Sequence, residues 1–391
     1  MNISVWEKES FYETCDVLIA GAGLLALWTA IELKITQPKL KVTLIDKSPV
    51  PCGASTRNAG FACFGSPTEM INDLEVMGAG AMWSIVEMRY RGIKKILQTF
   101  SPAQTGYEPL GGFECYTEGQ FDKNFLLEQL AIINAGMRFI TGDEHSFEEA
   151  TGKLESYKMT GFSMMLENRY EGGIHSGRYV ESLTNYVRSL GVKIINGLEL
   201  VSFESEGTGV LVRANQPAFA KATAAKPVNF SARQLLLATN AYLWKQAPQL
   251  GVVPARGQII VSPPVKNLAL RGTFHFDAGY YYFRSLGNRV LIGGARNSDV
   301  AGEETLELET TDAIKNILFR FLQAHVPQAG DFNLDAFESW SGLMAMHPNK
   351  QPLMESIAEN AWAAMCCNGM GVALTPVYAE HVAATIFNAL Q

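Results

Sequence analysis

The most constraining feature of this chain is Gly21-Ala22-Gly23-Leu24-Leu25-Ala26, a G-x-G-x-x-A run between two periodic segments. Before it, Asp16–Ala20 (DVLIA) is short, apolar and bounded by Gly21, which reads as a buried strand. After it, Leu24–Lys34 is rich in Leu and Ala and free of Gly and Pro, which reads as a helix. Lys41–Ile45 (KVTLI) reads as a second strand, so the opening unit is βαβ. In that context Gly21 permits the tight turn, Gly23 lets backbone approach a pyrophosphate, and Ala26 lets helix pack closely on strand. The helix N-terminus, beginning at Leu24, offers unpaired N–H groups and partial positive charge to phosphate. Asp46 ends the second strand, where an acid accepts hydrogen bonds from a ribose diol and repels a 2′-phosphate. The pattern predicts dinucleotide binding and argues against NADP; it does not separate FAD from NAD.

The remaining composition narrows the class. At 391 residues, 47% hydrophobic and 18% charged, the chain has the makings of a large core and is not a disordered one. A net charge of −7 argues against a nucleic-acid surface. No stretch approaches the ~20 continuous apolar residues of a membrane span. The first residues carry Glu7, Glu9 and Glu13 without a basic-then-apolar order, so no signal peptide is expected. None of the six cysteines forms C-x-x-C or a zinc-spaced cluster, so no metal is expected and a reducing cytoplasm is the expected compartment. The adjacent Cys366 and Cys367 read as buried thiols, with a redox pair as the alternative.

Along the chain, helices are expected around Pro67–Val76, Met82–Thr99, Phe121–Ala135, Arg178–Leu190, Thr311–His325 and Val372–Leu390. Arg233–Thr239 (RQLLLAT) and Ala361–Cys367 read as buried strands. Asn215–Pro227 reads as a long hairpin loop. Between Pro254 and Glu309 the runs are short and turn-separated, as in an antiparallel or mixed sheet. The expected fold class is α/β: a Rossmann-like domain with a parallel sheet, interleaved with a second α+β domain on a mixed or antiparallel sheet. The expected segments are 1–93, 172–253 and 338–391 for the first domain, and 94–171 and 254–337 for the second.

The stretch Gly53-Ala54-Ser55-Thr56-Arg57-Asn58-Ala59-Gly60-Phe61 is small and polar with one cation, suited to following a long extended ligand. With it the chain resembles the FAD-dependent D-amino-acid oxidase / glycine oxidase / sarcosine oxidase (DAO) superfamily, nearest its γ-glutamylputrescine oxidase-like members. The resemblance rests on DVLIAGAGLLALWTAIEL with VTLIDK, GASTRNAGF, GGIHSGRYVESL, LLLATNAY, PARGQ, YYYFRSLGNRVLIGGARN, WSGLMAMHPNKQPLM and CNGMGVALTP, in that order over roughly Asp16 to Ile386. It implies that Gly21, Gly23, Leu24 and Ala26 hold the FAD pyrophosphate, and Asp46 with Lys47 the adenosine ribose. Ser55, Thr56, Arg57, Asn58, Ala59 and Gly60 would follow the phosphates, ribityl chain and flavin edge. Val201 would lie near the adenine and Thr239 over the adenosine half. Gly369, Met370, Gly371 and Val372 would open the last helix toward the flavin pyrimidine, where a helix N-terminus favours negative charge.

Three departures accompany the resemblance. Met344 stands where glycine-oxidase and D-amino-acid-oxidase members carry a carboxylate-clamping Arg. Gly342 aligns with the flavin-linking Cys of sarcosine oxidases, so FAD is expected to be noncovalent. Leu291 aligns with their oxygen-activating Lys, which leaves oxidase and dehydrogenase activity both open. The implied reaction is oxidation of a C–N bond of an amine or amino acid, by hydride transfer to flavin N5 and hydrolysis of the imine. O2 or another acceptor would take the electrons. Tyr281 or Tyr282, by strand alternation, is expected to line the amine pocket, with sheet packing as the alternative. Arg284 and Arg296 read first as surface or structural residues, with replacement of the missing anchor as the alternative; His347 reads first as a structural hydrogen-bonder, with substrate contact as the alternative; and Phe61 and Met344 are expected to form an apolar wall. The alternatives are a 2-hydroxy-acid dehydrogenase or oxidase, a flavin-binding protein without turnover, and, more distantly, an NAD dehydrogenase. Substrate identity and oligomeric state are not legible.

Overall fold

The computed structural model describes residues 3–215, 227–365 and 367–391. The expected loop Asn215–Pro227 and the pairing of Cys366 with Cys367 thus fall largely outside the described residues. The strand Cys15–Ala20 is central to the first sheet, which explains its unbroken apolar run: Val17, Leu18 and Ile19 are fully buried. It pairs in parallel with Val42–Asp46 on one side and with Val228–Leu237 on the other. Lys193–Asn196 extends the sheet beyond Val42–Asp46. Ala361–Met365 and the antiparallel edge strand Leu353–Ala358 extend it on the opposite side. Glu199–Glu206 and Gly209–Asn215 form an antiparallel flap on the first half of Val228–Leu237.

The helix Leu24–Thr36 is apolar on nearly every side, because it lies between this sheet and a second layer of helices. Trp28 anchors it, its indole N–H donating to the Tyr179 hydroxyl at 2.7 Å on the helix Ser176–Ser189. The closing helix Gly371–Ala389 packs against it through Val382, Ala383 and Ile386. Pro67–Thr99 is continuous in outline, but Gly78 has φ 78° and ψ 163° and breaks it into the two expected helices. Its second part crosses Gly371–Ala389 at Gly92, where a Cβ would collide with the Ala373 carbonyl.

Among the described residues the second sheet has eight strands, in the spatial order Glu338–Met346, Val253–Val261, Arg289–Gly294, Tyr281–Leu286, Thr273–Phe276, Gly112–Tyr116, Met164–Asn168 and Glu148–Glu149. Period-two alternation sends Phe274, Tyr281 and Phe283 into a core closed by the helix Asp312–His325, while His275, Tyr282 and Arg284 face the first domain. One segment differs from expectation. The sequence pattern assigns residues 338–391 wholly to the first domain, but Glu338–Met346 pairs along its whole length with Val253–Val261 in the second sheet. The chain crosses back only afterwards. Sequence pattern does not distinguish the two sheets here, because both present short apolar runs.

Among the described residues no helix is long and apolar enough to cross a membrane. Replacing Gly92 by Ala should push the two long helices apart and destabilise the protein by about 1–3 kcal/mol. A thermal melt would show this as a lower Tm, whereas an unchanged Tm would mean that the crossing adjusts freely.

Candidate active site

The glycine turn is built against the neighbouring strand. Gly21 has φ +104°, and a Cβ there would sit 2.5 Å from the Ala238 carbonyl oxygen. Gly23 is extended and leads into the helix Leu24–Thr36, whose first N–H, from Leu24, donates to Ser55 Oγ at 3.0 Å. The Asp46 carboxylate is aimed by two backbone donors, Ala22 N–H at 2.9 Å and Ser48 N–H at 2.8 Å. Each oxygen keeps a lone pair for a diol. Ala26 lies wholly buried behind the turn, where it sets the helix–strand distance.

In front of the turn opens a cavity of about 720 Å³ that reaches from these residues to the second sheet. Lys47 borders its near end with its ammonium 3.3 Å from the Tyr242 ring centroid. Thr239 and the stretch Leu198–Leu200 line the same end. Val201, one residue further on, is 57% exposed and lies outside, because the strand alternates there.

The middle of the cavity is walled by Ser55, Arg57, Asn58 and Ala59. Asn58 is fully engaged: its amide donates to the Ala54 and Ser55 carbonyls, and its oxygen accepts from Gly60 N–H and the Ser176 hydroxyl. Arg57 donates to the Ser341 carbonyl at 2.9 Å, and Trp340 donates to the Arg57 carbonyl at 3.0 Å, which locks this loop to Glu338–Met346. Gly342 faces it closely, and a Cβ would lie 3.1 Å from Arg57 Cβ. Thr56 turns away to bond the Pro51 and Gly53 carbonyls. On the other side Gly369, Met370, Gly371 and Val372 line the cavity, and the helix Gly371–Ala389 opens onto it with no side-chain cap. A cradle of close glycines, an aimed carboxylate and two helix N-termini fits an extended dinucleotide such as FAD.

The far chamber lies against the second sheet. Phe61 and Tyr282 meet edge to face at 5.9 Å, and Phe61 meets His275 at 5.3 Å. Met344 completes this wall. His275 Nδ1 lies 3.1 Å from Glu69 Oε2 as a charge contact, not an aligned hydrogen bond. Burial alone would raise the Glu69 carboxyl, but His275 and Ser66 hold it down to about 2. Burial likewise works against the His275 cation, but Glu69 beside it raises its pKa well above 6.5. Behind this pair, Glu114 accepts from Ser66, Thr68 and Tyr116, and burial raises its pKa. Glu171 accepts from the Phe64 and Gly65 N–H groups, and burial pushes it up to about 7. Lys350 bridges to Asp73 at 2.8 Å and Asn72 at 3.0 Å, and all three line the chamber.

Several expected residues are not at the cavity. Tyr281 points into the core and stacks on Phe321 with centroids 5.0 Å apart, so alternation selects Tyr282. Arg284 is buried between the domains and donates to the Gly60, Ile174 and Ser285 carbonyls. Burial lowers its pKa to about 10, and Glu108 at 3.8 Å only partly offsets this. Gly60 therefore serves as its acceptor and lies outside the lining. His347 turns its ring to Asn349, 2.6 Å away, and does not border the cavity. Glu69, Asn72, Asp73, His275 and Lys350 escaped sequence reading. Glu69 carried one signal, as the third helical residue of the S-x-x-E capping box at Ser66.

The family model described as FAD dependent oxidoreductase, DAO, matches residues 16–385. The chain belongs to the DAO family. That family is one of FAD-dependent oxidoreductases, and the cradle above fits that cofactor. Among curated proteins it is similar to the Bifunctional protein ThiO/ThiG of Synechocystis sp., 23% identical over 383 residues, covering 96% of this chain and 52% of that protein. The chain thus spans about half the length of the curated relatives it matches. Its fold resembles that of L-proline dehydrogenase from P. horikoshii, with a TM-score of 0.74, 15% identity, and coverage of 96% of this chain and 94% of the other. It also resembles glycine oxidase from Geobacillus kaustophilus, with a TM-score of 0.71, 18% identity, and coverage of 96% and 95%.

The Glu69–His275 pair makes a pH-dependent contribution to stability. The Glu69 share is complete above 4.5 and fades as pH falls toward about 2. The His275 share is complete below 6.5 and fades as pH rises through its raised value. Glu69→Gln should therefore destabilise most between those two pH values, by roughly 3 kcal/mol. Denaturant melts from pH 3 to 6 should show the gap to wild type widening with pH, and a constant gap would refute the ion pair.

Proposed function

We propose that this chain oxidises a C–N bond of an amine or amino acid, giving an imine that water hydrolyses to a carbonyl compound and the released amine or ammonia. When bound, FAD supplies the two-electron acceptor for the hydride leaving the carbon next to nitrogen. Gly21, Gly23 and the opening turn of the helix Leu24–Thr36 would take the pyrophosphate, and Asp46 the ribose. Arg57, Gly342 and the opening turn of Gly371–Ala389 would border the isoalloxazine. Phe61, Tyr282 and Met344 would exclude water from the reacting carbon and hold it in line.

The observation that carries the choice of an amine is the state of the chamber's histidine. Oxidising an alcohol by hydride loss needs a base for the hydroxyl proton, whereas an amine arriving neutral needs none. Among the described residues the histidine lining the cavity is His275, buried with Nδ1 3.1 Å from Glu69 Oε2. That carboxylate raises its pKa and favours the protonated ring, which is a poor base for a hydroxyl proton. The structural neighbours, a glycine oxidase and a proline dehydrogenase, support the same substrate class.

Anaerobic mixing with a panel of amines and amino acids should bleach the flavin absorption, while a matching panel of 2-hydroxy acids should not. Bleaching by hydroxy acids alone would overturn the proposal, as would no bleaching by any member of either panel. Admitting air afterwards separates an oxidase, which re-oxidises promptly, from a dehydrogenase. Independently, Asp46→Ala should weaken FAD retention on the order of 10- to 100-fold, the loss of a charge-assisted hydrogen-bond acceptor. Equilibrium titration of apoprotein with FAD measures this.

A further inference from the structure

The helix Lys123–Thr141 is apolar on two opposite faces. On one face Leu126, Leu130, Ile133 and Met137 are buried against the second half of Pro67–Thr99. Gly136 lets the two helices close up, since a Cβ there would sit 2.1 Å from the Trp83 ring. The opposite arc, about 80° wide at about 100° per residue, holds Phe125, Glu128, Ile132, Ala135 and Phe139. All five are exposed, and the three largest apolar ones strongly so: Phe139 by 91%, Ile132 by 59% and Phe125 by 45%. A helix that is apolar on both sides is ordinarily covered on both. The stripe is not a frayed end. Asp122 accepts from the Phe125 N–H at 2.8 Å to cap the helix, and Gly142 closes it at φ +79°. With Leu127 alongside, these side chains expose on the order of 400 Å² of apolar surface, a patch of the size that marks interaction sites.

The pattern of the stripe indicates what covers it. Phe125 and Phe139 lie seven residues to either side of Ile132, so the stripe reads the same in both directions. A patch that pairs with its own copy across a two-fold axis has to map onto itself in this way. Reversal about Ile132 sets Phe125 against the partner's Phe139, twice, with the two Ile132 side chains between them. It also brings Glu128 within two residues, or about 3 Å along the axis, of the partner's Arg138. Arg138 is free to turn there, because its ion pair with Glu144 at 3.1 Å is solvent-exposed and contributes little. A parallel arrangement would set Glu128 against Glu128 and Arg138 against Arg138, so charge selects the antiparallel one. Two such stripes with the flanking Lys123, Ala131 and Arg138 bury about 1,000 Å² or more in total, the area a specific interface requires.

We propose that this chain forms a two-fold dimer through Lys123–Thr141, with the two helices antiparallel and crossing at Ile132. No residue of this helix lines the cavity, so the pairing leaves both cavities open. The dimer is independent of which substrate the chain oxidises.

The test is sedimentation equilibrium of the FAD-loaded protein. Wild type should be a dimer at micromolar concentration. Ile132→Glu should weaken association on the order of 100-fold, because each copy would bury an unpaired charge. FAD stoichiometry equal to wild type confirms that the variant is folded. Glu128→Arg should weaken association about tenfold, and adding Arg138→Glu should restore it. Disulfides read the orientation. Helices packed about 8–10 Å apart bring facing Cα atoms to roughly 4–6 Å, within disulfide reach. Under mild oxidation Ile132→Cys should therefore cross-link to its own copy, whereas Phe125→Cys and Phe139→Cys should cross-link efficiently only when the two variants are mixed. A wild-type monomer at about 100 µM would overturn the proposal, including one that instead binds vesicles of phosphatidylcholine and phosphatidylglycerol. So would a dimer that Ile132→Glu leaves intact. Phe139→Cys cross-linking to itself as well as to the Phe125→Cys variant would overturn the antiparallel arrangement.

Discussion

The structure is organised by the lack of room at the end of its central strand. Gly21 passes so close to the Ala238 carbonyl that no side chain fits, and the Asp46 carboxylate pins the following N–H from the next strand over. Three parallel strands therefore end together, and their carboxyl ends define one edge of the cavity. Ligands of open α/β sheets bind at such an edge because helix N-termini and unfilled backbone donors converge there. Everything downstream, from the 53–61 loop to the closing helix, is arranged around that edge.

A second constraint joins the two sheets. The buried Arg284 guanidinium takes carbonyls from Gly60 and Ile174, segments that belong to the first domain, while its own strand belongs to the second. A desolvated cation bound mainly to carbonyls is tolerable only when its donors are well satisfied. That requirement fixes the loop before Phe61 and so the distance between the nucleotide edge and the chamber floor. Chamber chemistry is balanced in the same way. Three carboxylates, the half-buried Glu69 and the buried Glu114 and Glu171, are distributed over one imidazole, hydroxyls and backbone N–H groups.

The nucleotide cradle was legible in the sequence because its residues are contiguous and chemically specific: a glycine turn needs glycine, and a diol needs an acid after a strand. The α/β class and most helices followed from periodicity. The substrate side was much less legible. Tyr281 and Tyr282 differ only in parity, and a one-residue shift in register exchanges core for cavity. Arg284 and Arg296 look alike in sequence; what separates them is that carbonyls from two distant segments surround the first, and no local pattern encodes that. Val201 missed the cavity by one residue for the same reason of parity. Glu69 and His275 lie more than 200 positions apart, and neither has a neighbourhood that announces the other.

The closing helix also bears on how the chain reaches this state. Ala361–Met365 inserts beside Val228–Leu237, and Gly371–Ala389 packs on Leu24–Thr36, the first long helix of the chain. The core begun near residue 15 is therefore finished only by residues beyond 360. During synthesis the early βαβ unit must wait, with an apolar helix face uncovered, while more than 300 further residues emerge. Contacts of such long sequence separation fold slowly. The interleaving that gives the cavity walls from both domains thus leaves that helix face without its partner, and open to aggregation, until the residues beyond 360 have emerged.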